Sequence, residues 1–374
     1  NENLLYPALV NKFYLKNENN LFWVTPEKEK GLLRQQLLSI IDTAWYYGLI
    51  AKTYHYSELK SNLDGSTTDS IKRLQSDRLY TDAAIAVFKD IYSGFKMSPW
   101  VGYDQLSEKY ADTDNEYLLQ CLLNIHTADQ LKLAVDLLEP VHPEYLTMKQ
   151  ELQKQKNKKA KDTVNSLQVS MNYYRWIHHF PFDRFIVINL AAARLQYYEK
   201  DSLILDMKAV VGKQSTPTPR FATVCDQVIL YPYWYVPRSI TFNEYLPKIK
   251  SSPSWLDAHN MQVIDGSGKI MDHHKLNWAS FHAGYFPYII RQSTGCDNAL
   301  GVIKFNIISP YGVYLHDTNN KTAFLSNSRY YSHGCMRLEE PIELGNRLLA
   351  GKLDTTFLQS CFKEQKPIPV LLQK

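Results

Sequence analysis

The stretch Ser332-His333-Gly334-Cys335-Met336-Arg337, preceded by Tyr314-Leu315-His316-Asp317, is the most informative part of this sequence. It places one cysteine near two histidines. A thiol attacks carbonyl carbon well only as the thiolate, so a catalytic cysteine needs an imidazole that accepts its proton. Cys335 is therefore predicted to be a nucleophile, and His316 and His333 are its candidate bases.

The chain around these motifs predicts a site at the edge of a sheet. His316 ends a predicted strand, and a polar loop separates it from Cys335. Gly334 permits a tight backbone geometry beside the cysteine, and backbone amides in such a loop can stabilise an oxyanion. The alternative, an inert buried cysteine with surface histidines, is disfavoured because His, Gly and Cys are clustered.

Length and composition indicate a globular protein with two domains, or with one domain and a large appendage. The chain has 374 residues, which exceeds the usual size of a single core. Its hydrophobic fraction is 45% and its charged fraction 21%, as in ordinary folded proteins. The net charge of +4 is spread along the chain, and the lysine-rich residues 154–161 lack interleaved aromatics, so no nucleic-acid binding is expected. No segment approaches the roughly 18 apolar residues of a membrane span.

The hydrophobic pattern changes along the chain, which predicts a helical half followed by a β-rich half. Apolar residues recur at three- and four-residue spacing between about residues 30 and 156, where Thr67-Thr68-Asp69 and Thr127-Ala128-Asp129 are predicted to begin helices. Short β-rich runs follow, including Phe185–Ile188 and Ile303–Ile307. Between residues 237 and 291 short helical fragments replace the strand pattern, which indicates an inserted subdomain.

The two motifs together resemble the signature of the YkuD-type L,D-transpeptidases of bacterial cell walls. Segments similar to the large Gram-negative members extend through both halves, at Val211-Gly212-Lys213, Trp234–Ile240, Asn298–Gly301 and His142–Leu146. The resemblance implies an α+β fold class. An all-α N-terminal scaffold domain would span residues 1–165, and a β-rich catalytic domain would span 166–374, with an inserted capping subdomain at about 239–290.

The resemblance also implies roles for single residues. Cys335 would be the nucleophile and His316 the general base, while His333 and Gly334 would arrange the oxyanion site. In such enzymes the first histidine is typically oriented by a backbone carbonyl, so Asp317 is expected to have a local structural role rather than that of a triad acid.

A second set of residues is predicted to bind substrate. Arg337 occupies a position where smaller relatives often have Asn, and its guanidinium could hold a substrate carboxylate with two hydrogen bonds. Ser332, Asn298 and Tyr314 complete this set. Asn298 and Lys304 could help to shape the pocket, although a turn and a strand-surface lysine explain these two residues almost as well.

The implied reaction is acyl transfer between peptidoglycan stem peptides. Cys335 would displace the terminal D-alanine of a donor tetrapeptide, and an amine of an acceptor stem would resolve the thioester in a 3→3 cross-link. Carbapenem-type β-lactams are the expected inhibitors, and no cofactor is expected. The implied location is the periplasm, with a signal peptide or membrane anchor outside this sequence.

Two alternative functions stay open at this point. Water could attack the same acyl-enzyme, which would make the protein an L,D-carboxypeptidase or endopeptidase. Alternatively, the protein could be a non-catalytic scaffold that binds the cell wall through its helical half.

Two features depart from the large members of the family. Their small peptidoglycan-binding module is not recognisable, and Gly295-Cys296-Asp297 replaces an expected proline-containing sequence. Cys296 is therefore a rival nucleophile or an oxidation partner of Cys335. The other cysteines, Cys121, Cys225 and Cys361, are predicted to be structural.

The histidine pairs His178-His179 and His273-His274 do not predict a metal site. Adjacent histidines on a helix or strand point in different directions, and no acid or cysteine at ligand spacing accompanies either pair. We therefore expect no bound metal.

Overall fold

The computed structural model describes residues 3–61, 69–95, 104–155, 160–179, 182–200, 202–359 and 365–372. The chain divides into two compact units, a helical one that extends to Pro181 and a second that runs from Phe182 to Lys374. Among the described helices, none is both long and apolar enough to cross a membrane.

The first unit consists of helices. They are α1 (Pro7–Lys16), α2 (Lys28–Asp42), α3 (Tyr56–Ser61), α4 (Ser70–Tyr92), α5 (Asp104–Leu123), α6 (Ala128–Leu138), α7 (Pro143–Gln155) and α8 (Lys161–His179), with 3₁₀ helices at Ala44–Tyr47 and Ala51–Tyr54. Both predicted starts are confirmed. Asp69 caps α4, and Thr127 forms a reciprocal capping box with Gln130 at the start of α6.

Helix α4 lies at the centre of this unit and is buried along most of its length. Its buried Asp77 accepts hydrogen bonds from the backbone N–H groups of Phe22, Trp23 and Val24, at 2.9, 2.7 and 2.6 Å. A buried carboxylate is stable only when its oxygens are paired in this way. Asp77 thereby fixes the segment before α2 to the central helix.

The predicted domain boundary at residues 165/166 falls inside α8. Met171 of α8 is fully buried against Tyr145 and Leu152 of α7. Because this apolar contact is internal to the helical unit, that unit continues through the whole of α8.

The second unit contains the strands and several short helices. In chain order they are β1 (Arg184–Asn189), β2 (Arg194–Glu199), β3 (Ser202–Gly212), β4 (Cys225–Leu230), β5 (Trp234–Tyr235), α9 (Arg238–Ile240), α10 (Leu246–Ser251), α11 (Trp255–Ala258), β6 (Met261–Ile264), β7 (Ile270–Met271), β8 (Ile289–Gln292), β9 (Ile303–Ile307), β10 (Leu315–His316), β11 (Tyr330–Ser332), β12 (Met336–Leu338), α12 (Pro341–Leu348), α13 (Thr355–Gln359) and β13 (Ile368–Leu371).

Within the described part of the chain, nine of these strands form the main sheet. Their order is β1-β2-β3-β12-β10-β9-β4-β13, and β11 also pairs with β3. At the centre, β10 is parallel to β12 and antiparallel to β9. One face of this central part carries Phe305, Leu315, Met336 and Leu338, which pack in the core with Leu344 of α12. The opposite face is left for polar side chains.

The segment between β5 and β8 forms a capping subdomain with its own core. Leu256, Val263, Trp278 and Ile290 belong to a separate buried cluster. The helical fragments predicted here are present, but β6, β7 and β8 join β5 in a four-stranded sheet, ordered β5-β8-β6-β7. The longest of these strands has only four residues, which is too short for a clear alternating pattern.

Candidate active site

The register of the central strands places the motif residues on one face of the sheet. His316 lies opposite Arg337 of β12 and opposite Lys304 of β9. Side chains of directly paired residues share a face, and residues two apart on a strand share it too. Tyr314, whose ring centroid is 5.6 Å from that of His316, therefore lies on this face as well.

Cys335 joins the same group from the end of β12. The backbone N–H of the next residue, Met336, donates to the carbonyl of Tyr314 at 3.0 Å. Cys335 is thereby held beside Tyr314, and the Tyr314 hydroxyl forms a hydrogen bond with the Cys335 side chain. We call Lys304, Tyr314, His316, Cys335 and Arg337 the catalytic face.

His316 is buried and held in one tautomer. Its Nδ1 forms a hydrogen bond of 2.5 Å with the carbonyl of Asp317. A carbonyl can only accept, so Nδ1 carries the proton and Nε2 keeps a free lone pair. Burial lowers the pKa of His316 to about 3, and the positive charges of Arg337 and Lys304 act in the same direction. The imidazole is therefore neutral at physiological pH and able to accept a proton.

The thiol of Cys335 is also neutral in the resting site. Burial raises its pKa, and hydrogen bonds from Tyr314 and the positive charges of Lys304 and Arg337 oppose this increase only in part. The site thus contains a neutral thiol and a neutral imidazole rather than a preformed thiolate–imidazolium pair. The nearby cations favour the thiolate once the proton has moved.

The loop that carries Cys335 is fixed by internal hydrogen bonds. Ser332 Oγ donates to the Cys335 carbonyl at 2.7 Å and accepts from the Gly334 N–H at 3.1 Å. Thr218 Oγ1 donates to the Gly334 carbonyl at 2.8 Å and accepts from the Gly212 N–H at 2.9 Å. Gly334 has a φ of +114°, which other residues rarely adopt. Its N–H is already paired, so the contribution of Gly334 is its backbone conformation.

Asp317 supports the site without acting on His316 through its carboxylate. That carboxylate accepts the N–H groups of Val302 at 3.0 Å and Thr318 at 2.7 Å, and it pairs with Lys321. Gly301 leaves the necessary space, because a Cβ there would lie 2.1 Å from Asp317 Oδ2. These contacts agree with the structural role expected for Asp317.

Two family models match this chain. Residues 183–358 match the L,D-transpeptidase catalytic domain (YkuD), and residues 8–152 match a scaffold domain. The chain carries a YkuD-type L,D-transpeptidase catalytic domain. The catalytic face lies within the matched segment.

A relative with sequence similarity supports the same assignment. A Haemophilus influenzae protein with the name "Putative L,D-transpeptidase" is 34% identical over 190 residues. The match covers 51% of this chain and 38% of that protein. The activity, substrates and partners of the whole protein are therefore matters for proposal.

Two solved structures show only weak similarity to this chain. An L,D-transpeptidase from Mycobacterium smegmatis is 12% identical, with 51% of this chain and 59% of that chain covered and a TM-score of 0.22. The transpeptidase LdtMt1, solved in complex with imipenem, is 13% identical, with 50% and 57% covered and a TM-score of 0.22. At such TM-scores these structures add nothing to the assignment.

Two residues predicted to bind substrate use their side-chain polar atoms in hydrogen bonds within the transpeptidase domain itself. Asn298 is fully buried, and its amide donates to the carbonyls of Pro232 at 3.1 Å and Ser293 at 2.7 Å. Its Oδ1 accepts from the Leu300 N–H at 2.7 Å. Asn298 therefore shapes a turn, as its alternative interpretation held. Ser332 is likewise buried and serves the cysteine loop.

His333 faces the capping subdomain. Its Nε2 lies 2.9 Å from Glu244 Oε1, and both side chains are about two-fifths exposed, at 42% and 43%. Glu244 belongs to a π-helical turn at Thr241–Tyr245. The pair connects the cysteine loop to the subdomain that was predicted to cover the donor.

Sequence reasoning underestimated three residues of the transpeptidase domain. Lys304 Nζ lies 4.0 Å from the ring centroid of Tyr314, and Trp234 hydrogen-bonds the Tyr314 hydroxyl. Thr218 stabilises the cysteine loop through its hydrogen bond to the Gly334 carbonyl. The strand register places Lys304 directly opposite His316, whereas Trp234 lies in a segment that already resembled the family.

The disulfide state of the cysteines removes a rival nucleophile. Cys296 is disulfide-bonded, whereas Cys335, Cys225 and Cys121 are free. The hypotheses that Cys296 is a nucleophile or an oxidation partner of Cys335 are therefore wrong. Cys361 lies outside the described residues.

The neutral state of the site predicts how Cys335 reacts with iodoacetamide at different pH values. Burial raises the pKa of the Cys335 thiol, and His316, whose pKa is lowered to about 3, stays neutral across the physiological range. The rate of alkylation should therefore rise continuously from about pH 6 to 9. Peptide mass mapping would measure it, with Cys225, whose pKa burial raises to about 12, as a slower internal comparison. A rate independent of pH between about 6 and 8 would instead indicate a preformed ion pair.

Asp317→Asn is expected to lower stability more than activity. An amide cannot accept both the Val302 and Thr318 N–H groups, so one loses its partner at a cost of about 1–3 kcal/mol in the free energy of unfolding. The rate of acylation should fall less than about tenfold, whereas loss of a triad acid costs about 10⁴-fold. Urea unfolding and acylation kinetics would separate the two, with Lys321→Ala as a control for the surface ion pair.

Proposed function

We propose that this protein is a peptidoglycan L,D-transpeptidase that forms 3→3 cross-links through a thioester on Cys335. The observation that carries the proposal is the catalytic face, where a thiol, a neutral imidazole, a phenol and two cations share one side of three adjacent strands. Membership of the YkuD family supports peptidoglycan as the polymer.

In the first step, Nε2 of His316 takes the proton of the Cys335 thiol. The thiolate attacks the carbonyl of the diamino acid at position three of a donor tetrapeptide. The terminal D-alanine leaves with the proton from His316, and a thioester remains. Burial raises the pKa of the Tyr314 phenol, which therefore keeps the proton it donates toward the sulfur.

In the second step, a side-chain amine of an acceptor stem attacks the thioester. His316 accepts the amine proton and returns it to the departing sulfur, which restores the resting thiol. The charges of Lys304 and Arg337 lie near Cys335 and stabilise negative charge on the reacting groups.

Arg337 is well placed to hold a carboxylate of the donor stem. Its Nε is buried and has no hydrogen-bond partner among the residues that the structure describes. A buried donor of this kind is stabilised when a ligand supplies the acceptor. The arrangement supports the predicted substrate-binding role of Arg337.

The capping subdomain favours transfer to an amine over hydrolysis. The His333–Glu244 contact holds the subdomain to the cysteine loop, and a covered thioester is protected from water. We place this reaction in the periplasm and expect carbapenem-type β-lactams to acylate Cys335.

Incubation with a defined tetrapeptide stem tests the proposal. Mass analysis should detect 3→3 cross-linked dimers together with released D-alanine. Tripeptide monomers without dimers would instead identify an L,D-carboxypeptidase. If neither product forms and no acyl-enzyme is found, the protein acts as a non-catalytic wall-binding scaffold.

A further inference from the structure

Asp257, His273 and His274 converge in the capping subdomain, and the proposed reaction does not use them. His273 Nε2 lies 3.1 Å from Asp257 Oδ1, and His274 Nε2 lies 3.1 Å from Asp257 Oδ2. One potential ligand atom from each residue lies within 4.8 Å of the other two. Two imidazole nitrogens and a carboxylate form a donor set that suits zinc.

The separations are compatible with coordination of a metal ion, and among the residues that the structure describes His273 makes no hydrogen bond through its Nε2. His273 Nε2 is buried and, within the described part of the chain, has no hydrogen-bond partner, although the carboxylate oxygen is close. Around a tetrahedral zinc ion with ligand distances of about 2.0–2.2 Å, neighbouring ligand atoms are roughly 3.3 Å apart. The observed separations are thus near those of a zinc site.

The segments that carry these residues are held by the fold of the subdomain. Asp257 lies on α11, and the two histidines begin a 3₁₀ helix at His273–Lys275. The carbonyl of His273 accepts a hydrogen bond from Trp278 Nε1 at 2.7 Å, and Asp272 caps the 3₁₀ helix through the His274 N–H at 3.2 Å. The backbone positions of both histidines are therefore fixed independently of any metal.

In the folded chain the two histidines do not point apart, and a carboxylate lies beside both of them. The two imidazole rings lie with centroids 4.3 Å apart and both face the same carboxylate. The acid comes from a different element, so spacing along the sequence could not reveal it.

We propose that Asp257, His273 and His274 bind a zinc ion that links α11 to the 3₁₀ helix and stabilises the capping subdomain. Water completes the coordination, since the His274 and Asp257 side chains are each 53% exposed. Magnesium and calcium, which prefer sets of oxygen ligands, do not compete.

Zinc titration of the full chain tests this site. The tag-free protein carries Cys335→Ala in every sample, so that the catalytic thiol cannot contribute. Calorimetry at pH 7.5 should give one zinc ion per chain and a melting temperature that rises with zinc. Asp257→Asn and His273→Gln should each weaken binding by about tenfold or more and remove the thermal shift.

His282→Gln is the matched control, because His282 is an exposed histidine of the same subdomain outside the cluster. It should bind zinc as the parent does. The absence of stoichiometric binding, unchanged affinity in Asp257→Asn and His273→Gln, or displacement of zinc by equal magnesium would each overturn the proposal. Circular dichroism without zinc should be the same for all variants, which separates loss of the site from loss of the fold.

Discussion

Cys335→Ala is expected to abolish the acyl-enzyme completely, both with a tetrapeptide donor and with a carbapenem. The sulfur of Cys335 lies on the catalytic face beside Tyr314 and near the charges of Lys304 and Arg337. Alanine has no atom that could form the thioester. Intact-mass analysis should show the adduct on the parent protein and none on the variant.

Cys225→Ala is the matched control for this experiment. Cys225 is a free thiol of β4 in the same unit, and burial raises its pKa to about 12. Its removal should leave the adduct in place. An adduct that survives Cys335→Ala would refute the assignment of the nucleophile, and peptide mapping would locate the residue responsible.

His316→Gln is expected to slow acylation by about 10²–10⁴-fold, the usual contribution of a general base. Glutamine cannot accept the thiol proton, and the raised pKa of Cys335 leaves little spontaneous thiolate at neutral pH. Stopped-flow measurement of acylation by a carbapenem would give the rate directly.

The pH profile of His316→Gln distinguishes a lost base from a disturbed site. If the histidine acts by removing the proton, the variant should gain rate steadily as pH rises toward the raised pKa of the thiol. The parental profile should show no histidine inflection near pH 6.5, since the pKa of His316 is about 3. A loss smaller than about tenfold would exclude the role of general base. His282→Gln, an exposed histidine of the same unit, should react at the parental rate.

Local sequence patterns predicted most of the elements. The starts of α4 and α6 were predicted correctly because the capping side chains of Asp69 and Thr127 bond to backbone groups only two or three residues away. Strand β9 was predicted at its observed bounds because a run of β-formers is bounded by turn residues. The short strands of the capping subdomain were missed because four residues carry too little periodicity.

The candidate site was predicted in part. Cys335 and His316 lie in motifs whose residue types by themselves indicate a thiol nucleophile and its base. Lys304 became part of the site only through its pairing with His316 across β9 and β10. Asn298 was assigned to substrate, whereas its side chain is fully buried and hydrogen-bonded to three backbone groups of a turn. Motif resemblance identifies a position but does not show which way its side chain faces.

The sequence by itself determined the helical and β-rich halves and the family, and it predicted Cys335 as the nucleophile and His316 as its base. These depend on local periodicity and on residues close together in the chain. Tertiary structure alone decided which side chains share the catalytic face, the neutral state of Cys335 and His316, and the approach of Asp257 to His273. The physical reason is that strand register, desolvation and contacts between distant elements exist only after the core has formed.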